Sequence, residues 1–136
     1  MRPNRLLHTM LRVGKLQRSL DFYIGALGMQ LLRREEFEEG RFTLAFLGYG
    51  DEHDHSVIEL THNWDTGQYQ LGNAYGHIAL AVDDVYEATA HAATSGARVV
   101  RAPGPLKGKP RELIAFLEDP DGYRIELIEC RPLAEP

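Results

Sequence analysis

Two histidines and two glutamates recur in matched surroundings along the 136-residue chain. His8 opens the segment His-Thr-Met-Leu-Arg-Val13 and His77 opens His-Ile-Ala-Leu-Ala-Val82, while Glu59 lies between Ile58 and Leu60 and Glu126 between Ile125 and Leu127. Two imidazoles and two carboxylates suit a divalent ion such as Ni²⁺, Co²⁺ or Zn²⁺, with water in the remaining positions and none of the thiolates typical of structural zinc. Ligand type does not separate the three ions. Alternation along a strand turns each glutamate away from the face that its isoleucine and leucine bury. A carboxylate on the inner face of a curved sheet is costly unless it is paired or metal-bound, so a cation there removes the penalty. Any one of these residues alone reads as an ordinary core, strand-edge or surface residue. The same types at both equivalent positions, twice over, are not explained by independent placement.

The elements that must hold these four side chains also come as two copies. Each histidine starts a short strand. After the first strand, Leu16, Leu20, Tyr23 and Leu27 follow amphipathic spacing and predict one helix, ended by Gly28 in a left-handed cap. After the second, Asp83 or Asp84 can N-cap a helix carrying Val85, Ala88 and Ala92, ended by Gly96. Leu31-Leu32 then match Val99-Val100, Leu44-Ala-Phe-Leu47 match Ile114-Ala-Phe-Leu117, and Ile58-Glu-Leu60 match Ile125-Glu-Leu127. The expectation is an α+β fold, one domain over residues 1–136, built from two βαβββ modules with curved mixed sheets. Module one covers about 5–62, a polar, glycine-containing linker about 63–75, and module two about 76–130. Arg131 to Pro136 reads as a loose tail.

Composition narrows the partners. Hydrophobic residues at 43% and charged residues at 26% are ordinary for a folded globular chain and exclude a disordered or fibrous reading. Fifteen Lys plus Arg against twenty Asp plus Glu leave a net charge of −5, which argues against nucleic acid as a partner. Cys130 is the single cysteine and has no intramolecular disulfide partner. No run is long and apolar enough for a membrane span, and the first residues lack a signal-peptide pattern, so the expected location is the cytoplasm. Other candidate clusters read as solvated surface. His53 and His55 fall in the acidic stretch Asp51 to His55, Glu35, Glu36, Glu38 and Glu39 precede Gly40 in a hydrated turn, and His91 is an exposed helix residue. Gly104 to Lys109 lacks the spacing and hydroxyl of a phosphate-binding loop.

The segments HTMLRV, DFYIGALGM, LAFLGYG, VIELTHNW, YGHIALAV and LIAFLEDPDGYRIELIE, in this order from about Arg5 to Glu129, resemble glyoxalase I (lactoylglutathione lyase) of the vicinal oxygen chelate superfamily. The resemblance implies the glyoxalase/bleomycin-resistance-like fold and a homodimer with active sites at the subunit interface, where His8 and Glu59 of one chain meet His77 and Glu126 of the other around one metal. It implies that the substrate is the hemithioacetal of methylglyoxal and glutathione, isomerised to S-D-lactoylglutathione. Lewis-acid stabilisation of an enediolate, with a carboxylate carrying the proton between neighbouring carbons, fits such a donor set. Glu126 is the first choice of base, and Glu59 serves the opposite face. For glutathione, Arg12 lies four residues after His8 on the same strand face and can bind a carboxylate bidentately. Asn63 matches the family's amide contact to the γ-glutamyl group, and Lys107 and Arg111 lie in a loop that closes over the glycyl end. Chains of this short length resemble the bacterial group activated by nickel or cobalt, which makes Ni²⁺ the expected metal. Three positions depart from the pattern. Asn73 stands where longer relatives carry a glutathione-binding Arg, His62 where close relatives often carry Tyr, and the loop Lys107 to Glu112 is one residue longer than in the shortest bacterial relatives.

The same architecture admits other functions. An extradiol dioxygenase needs two histidines and one carboxylate around iron, and the second glutamate speaks against it. A metal-dependent epimerase of a coenzyme A thioester shares the donor set and the proton transfer, but Arg12 and Asn63 favour glutathione. A non-catalytic antibiotic-sequestering protein would use the fold as a dimer without metal.

Overall fold

In the computed structural model, which describes residues 3–130, the chain divides between Gln70 and Leu71 into two compact units. Residues 131–136, read above as a tail, lie outside the described residues. The first unit runs β1 (His8–Arg12), α1 (Leu16–Leu20), a π-helical segment (Asp21–Ala26), β2 (Gln30–Phe37), β3 (Phe42–Gly48) and β4 (Val57–Asn63). Its sheet has the order β1-β4-β3-β2, with β1 parallel to β4 and the other neighbours antiparallel. The second unit runs β5 (His77–Val82), α2 (Val85–Thr94), β6 (Arg98–Leu106), β7 (Lys109–Glu118) and β8 (Arg124–Glu129). Its order is β5-β8-β7-β6, again with the first pair parallel and the rest antiparallel. Two mixed four-stranded sheets with helices, each of βαβββ order, are what the duplicated pattern requires.

The β4 and β8 strands obey the alternation argument. Ile58 is buried and Leu60 fully so, as are Ile125 and Leu127, while the intervening glutamates face the other way. Burying such a branched side chain contributes about 1.5–3 kcal/mol, which makes a one-residue slip of register prohibitive and fixes the facing of both carboxylates.

The helix of the second unit starts where Asp84, rather than Asp83, accepts hydrogen bonds from the backbone N–H groups of Tyr86 and Glu87 at 2.9 and 3.0 Å. It ends before Gly96, whose φ is +91°. The first unit differs from expectation. Its helix opens after Leu20 into π geometry, with the Leu27 N–H donating to the Phe22 carbonyl at 3.2 Å. Within this wider turn the adjacent rings of Phe22 and Tyr23 both enter the core, edge to face at 5.0 Å. Ala26 and Met29 are buried, and Leu27 is only half-buried.

Two segments read as turns prove to be strand. Glu35 and Glu36 belong to β2, where they pair with Arg33 and Arg34; only Glu38 and Glu39 lie in the turn before Gly40. The segment 107–112 is a hairpin: Lys107-Gly108 form its tip, with Gly108 at φ +87°, and Arg111 lies within β7. The side chains from the two sides of such a hairpin repay backbone ordering that a free loop would not, so sequence polarity alone misjudged it.

Candidate metal centre

Each unit brings one histidine and one glutamate together by the same register. In the parallel pair β1–β4, His8 lies opposite Val57 and Met10 opposite Glu59. In β5–β8, His77 lies opposite Arg124 and Ala79 opposite Glu126. The glutamate therefore sits two residues along the neighbouring strand, on the face that bears the histidine. His8 Nε2 is 3.9 Å from Glu59 Oε1, and His77 Nε2 is 3.0 Å from Glu126 Oε1. Two donors bound to one ion at about 2.1 Å each stand about 3.0–3.6 Å apart at angles of about 90–120°, so the His77–Glu126 pair already has ligand spacing and the His8–Glu59 pair must close by a few tenths of an ångström to reach it. The carboxylates are mostly sheltered, with side-chain exposures of 15% and 14%, while the imidazoles are open at 39% and 42%. A sheltered carboxylate beside an accessible nitrogen is chemistry suited to a cation arriving from outside the unit. Among the described residues, no group of three or more His, Cys, Asp or Glu gathers.

Aromatic rings fix both imidazoles, a feature that sequence reasoning missed. Phe46 stands across from Glu59 on β3 and meets the His8 ring edge-on at 5.6 Å; Phe116 stands across from Glu126 on β7 and meets His77 at 5.2 Å. The signal was present in the recurring Ala-Phe-Leu of both β3 and β7, where the phenylalanine reads as plain core. Two more neighbours of the first pair were unforeseen. Thr61 donates its hydroxyl to Glu59 Oε2 at 3.3 Å, and Arg33 lies 3.6 Å over the Phe46 ring while bonding Glu52 at 2.8 and 3.2 Å.

The substrate candidates are placed less tightly. Arg12 is exposed at the end of β1, on the same face as His8 and opposite Thr61. Asn63 ends β4 and donates to the Tyr69 hydroxyl at 2.9 Å. Lys107 and Arg111 are exposed on the β6–β7 hairpin. His62 lies opposite Thr43, on the face of β4 that Glu59 does not share. His53, His55 and His91 are exposed, with His55 Nδ1 2.7 Å from Asp54. In the second unit a cavity of about 370 Å³ opens beside His77, lined by Leu71, Gly72, Tyr75, Gly76, His77, Phe116, Gly122 and Arg124.

With this geometry established, comparison with known proteins is specific. The family model for the Glyoxalase/Bleomycin resistance protein/Dioxygenase superfamily matches residues 5–127. The chain is 65% identical over 125 residues to a lactoylglutathione lyase of Neisseria meningitidis serogroup A, covering 92% of this chain and 90% of that protein. It is 59% identical to a lactoylglutathione lyase of Escherichia coli O157:H7, covering 92% of each. Among solved structures it resembles glyoxalase I from Zea mays with a TM-score of 0.92 at 42% identity, covering 97% of this chain and 47% of that one, so it spans about half of the maize protein. The trypanothione-dependent glyoxalase I of Leishmania major aligns with a TM-score of 0.83 at 44% identity, over 93% of this chain and 86% of that one.

Proposed function

Because the chain belongs to the glyoxalase/bleomycin resistance protein/dioxygenase superfamily, we propose that it is a lactoylglutathione lyase (glyoxalase I), which isomerises the glutathione hemithioacetal of methylglyoxal to S-D-lactoylglutathione. The observation that carries this reading is the pair of His–Glu couples, 3.9 and 3.0 Å apart and set by one register in both units. The identity to lyases over nine-tenths of their length agrees with it and leaves the epimerase and sequestering readings without comparable support.

His8, Glu59, His77 and Glu126 are the residues that would hold the metal. A divalent ion bound there supplies Lewis acidity, lowering the cost of the negative charge that develops on substrate oxygen when the neighbouring C–H is deprotonated. The donor set accepts nickel, cobalt or zinc. Nickel is our assignment, on family resemblance. Glu126 takes the proton from one carbon and returns it to its neighbour, and Glu59 does the same on the other face for the opposite hemithioacetal enantiomer. Arg12 binds a glutathione carboxylate through its fork of N–H donors, and Asn63 meets the γ-glutamyl group with its amide. Lys107 and Arg111, at and beside the hairpin tip, approach the glycyl end.

One His–Glu couple offers two donors where a divalent ion takes four or more, so each unit is half a site. The halves are completed in a homodimer, the first unit of one chain facing the second unit of its partner. The exposed Cys130 is stable as a thiol in the cytoplasm, where we place the protein.

The deciding assay follows lactoylglutathione formation from methylglyoxal and glutathione, before and after chelation, with Ni²⁺, Co²⁺ or Zn²⁺ restored separately. Turnover that chelation abolishes and Ni²⁺ restores is expected; no turnover with any metal rejects the function, and restoration by Zn²⁺ alone rejects the metal assignment. Sharing is tested by mixing the inactive variants His8→Ala and His77→Ala. A shared site regenerates one intact constellation in each mixed dimer, whereas a site within one chain stays dead.

A further inference from the structure

The second unit holds a cation that neither the metal set nor the glutathione contacts above employ. Arg124 is exposed at the start of β8, directly opposite His77 in the parallel register, so its side chain and the imidazole leave the sheet on the same face. Both line the cavity of about 370 Å³ whose other walls are Leu71, Gly72, Tyr75, Gly76, Phe116 and Gly122. In a chain of net charge −5, a guanidinium is readily paired, yet among the described residues the Arg124 side chain has no ion pair and no hydrogen bond, while its carbonyl accepts from the Tyr75 hydroxyl at 3.1 Å.

That bond makes the cavity a built feature. The Tyr75 ring packs edge-on against Tyr123 at 5.3 Å and its hydroxyl ties the 71–77 segment to the beginning of β8. Gly72 and Gly76 leave open space where side chains would stand, which keeps the cavity reachable from outside. The matching position of the first unit, opposite His8, is Val57, which is buried. A cation at this level therefore exists on one half of the duplicated frame only, as an asymmetric anionic ligand would require.

We infer that Arg124 is a carboxylate-binding residue for the tripeptide moiety of the substrate, seated in the cavity beside His77. The inference rests on the proposed glutathione-dependent reaction, since it names a subsite for that ligand. A charge-assisted, two-pronged hydrogen bond of this kind is among the stronger polar contacts available at a surface cavity.

The test uses the metal-loaded, full-length protein and the substitution Arg124→Met, which keeps the aliphatic stem. S-methylglutathione binding is measured by calorimetry, beside its two monoamide analogues, each lacking one carboxylate charge. Arg124→Met is expected to bind S-methylglutathione about tenfold to a hundredfold more weakly and to raise KM for the hemithioacetal correspondingly while kcat stays within about twofold, with Arg124→Lys recovering part of the loss. One of the monoamides should then bind the wild type and Arg124→Met equally, identifying the carboxylate concerned. Equal binding of S-methylglutathione by wild type and Arg124→Met, or a fall in kcat with unchanged KM, overturns the assignment while leaving the lyase reading intact. A wild type that neither binds S-methylglutathione nor turns over the hemithioacetal overturns the lyase reading itself.

Discussion

The two units share a frame and differ in what hangs on it. Both place a histidine at the head of the first strand, a glutamate two residues along the parallel neighbour, and a phenylalanine on the third strand against the imidazole. Around that constant group the side chains diverge. Opposite His8 stands Val57, and opposite His77 stands Arg124; four residues further along the first strands, Arg12 and Thr61 face each other in one unit and Ala81 and Ile128 in the other. A symmetric ion can be served by duplicated donors. An asymmetric tripeptide cannot be served by duplicated recognition, so the divergence falls where ligand discrimination is needed and spares the donors and their supporting rings.

The sharpest way to break this comparison is to remove one acidic function from each unit. Glu59 Oε2 accepts from Thr61, which ties that carboxylate to its own strand, whereas among the described residues His77 is the one polar side chain that the Glu126 carboxylate meets. The freer carboxylate is the better proton carrier. Glu126→Gln is expected to lower kcat by about 10²–10⁴-fold, the range for loss of a general base, and Glu59→Gln by clearly less, with metal content measured on both samples. Equal losses at equal metal content would show that the two carboxylates are interchangeable and that the Thr61 bond carries no distinction.

The next effect is structural and concerns two arginines at the same place in the frame. Arg33 lies across from Phe46 and Arg101 across from Phe116, yet Arg101 turns to backbone, donating to the carbonyls of Ala102, Gly104, Pro105 and Ile114 at 2.7–3.1 Å. It braces β6 where the register against β7 shifts between Arg101 and Gly104. Arg101→Met removes four donated hydrogen bonds, two of them to the part-buried carbonyls of Gly104 and Ile114, and thermal or urea unfolding should show a loss of about 2 kcal/mol. Smaller again is Ile128→Thr, which offers Glu126 the hydroxyl that Glu59 has. One added hydrogen bond is worth about 1 kcal/mol, so kcat should fall about fivefold with little change in KM; an unchanged kcat would mean that the tether does not restrain the base.

Much of this was legible in the sequence because the governing patterns are short and local. The Ile-Glu-Leu triplets fix which way β4 and β8 face, and the repeated order of segments marks both histidines and both glutamates as equivalent positions. A cap at Asp83 or Asp84 was legible because such a side chain reaches N–H groups two and three residues away, and the structure assigns it to Asp84. What escaped depended on distant partners. The π turn at Asp21–Ala26 answers to two neighbouring aromatic rings packed at once, and residue periodicity assumes a uniform helix. The different fates of Arg33 and Arg101 turn on Glu52 and on the local shift of β6, neither of which is encoded near the arginine. Arg124 was passed over because Asp-Pro-Asp-Gly-Tyr-Arg reads as a turn entering a strand, and its nearness to His77 appears only through the register.

Arg33 supplies the smallest and most discriminating test of the contrast. It stacks on Phe46 and meets Glu52 and Glu35, but its side chain is 42% exposed, so water and salt compete for each charge. Exposed pairs contribute less than about 1 kcal/mol, and Arg33→Met retains a side chain that can lie on the ring. The expected stability loss is therefore below that of Arg101→Met. It should also shrink as salt is raised from 0.05 to about 0.5 M, since the Debye length falls well below the ordinary 8–10 Å. The loss in Arg101→Met should persist in the same titration, because its partners are carbonyl dipoles rather than carboxylates. If both deficits faded together with salt, the second unit's arginine would be acting through charge as the first does, and the division between an electrostatic brace and a backbone brace would fail.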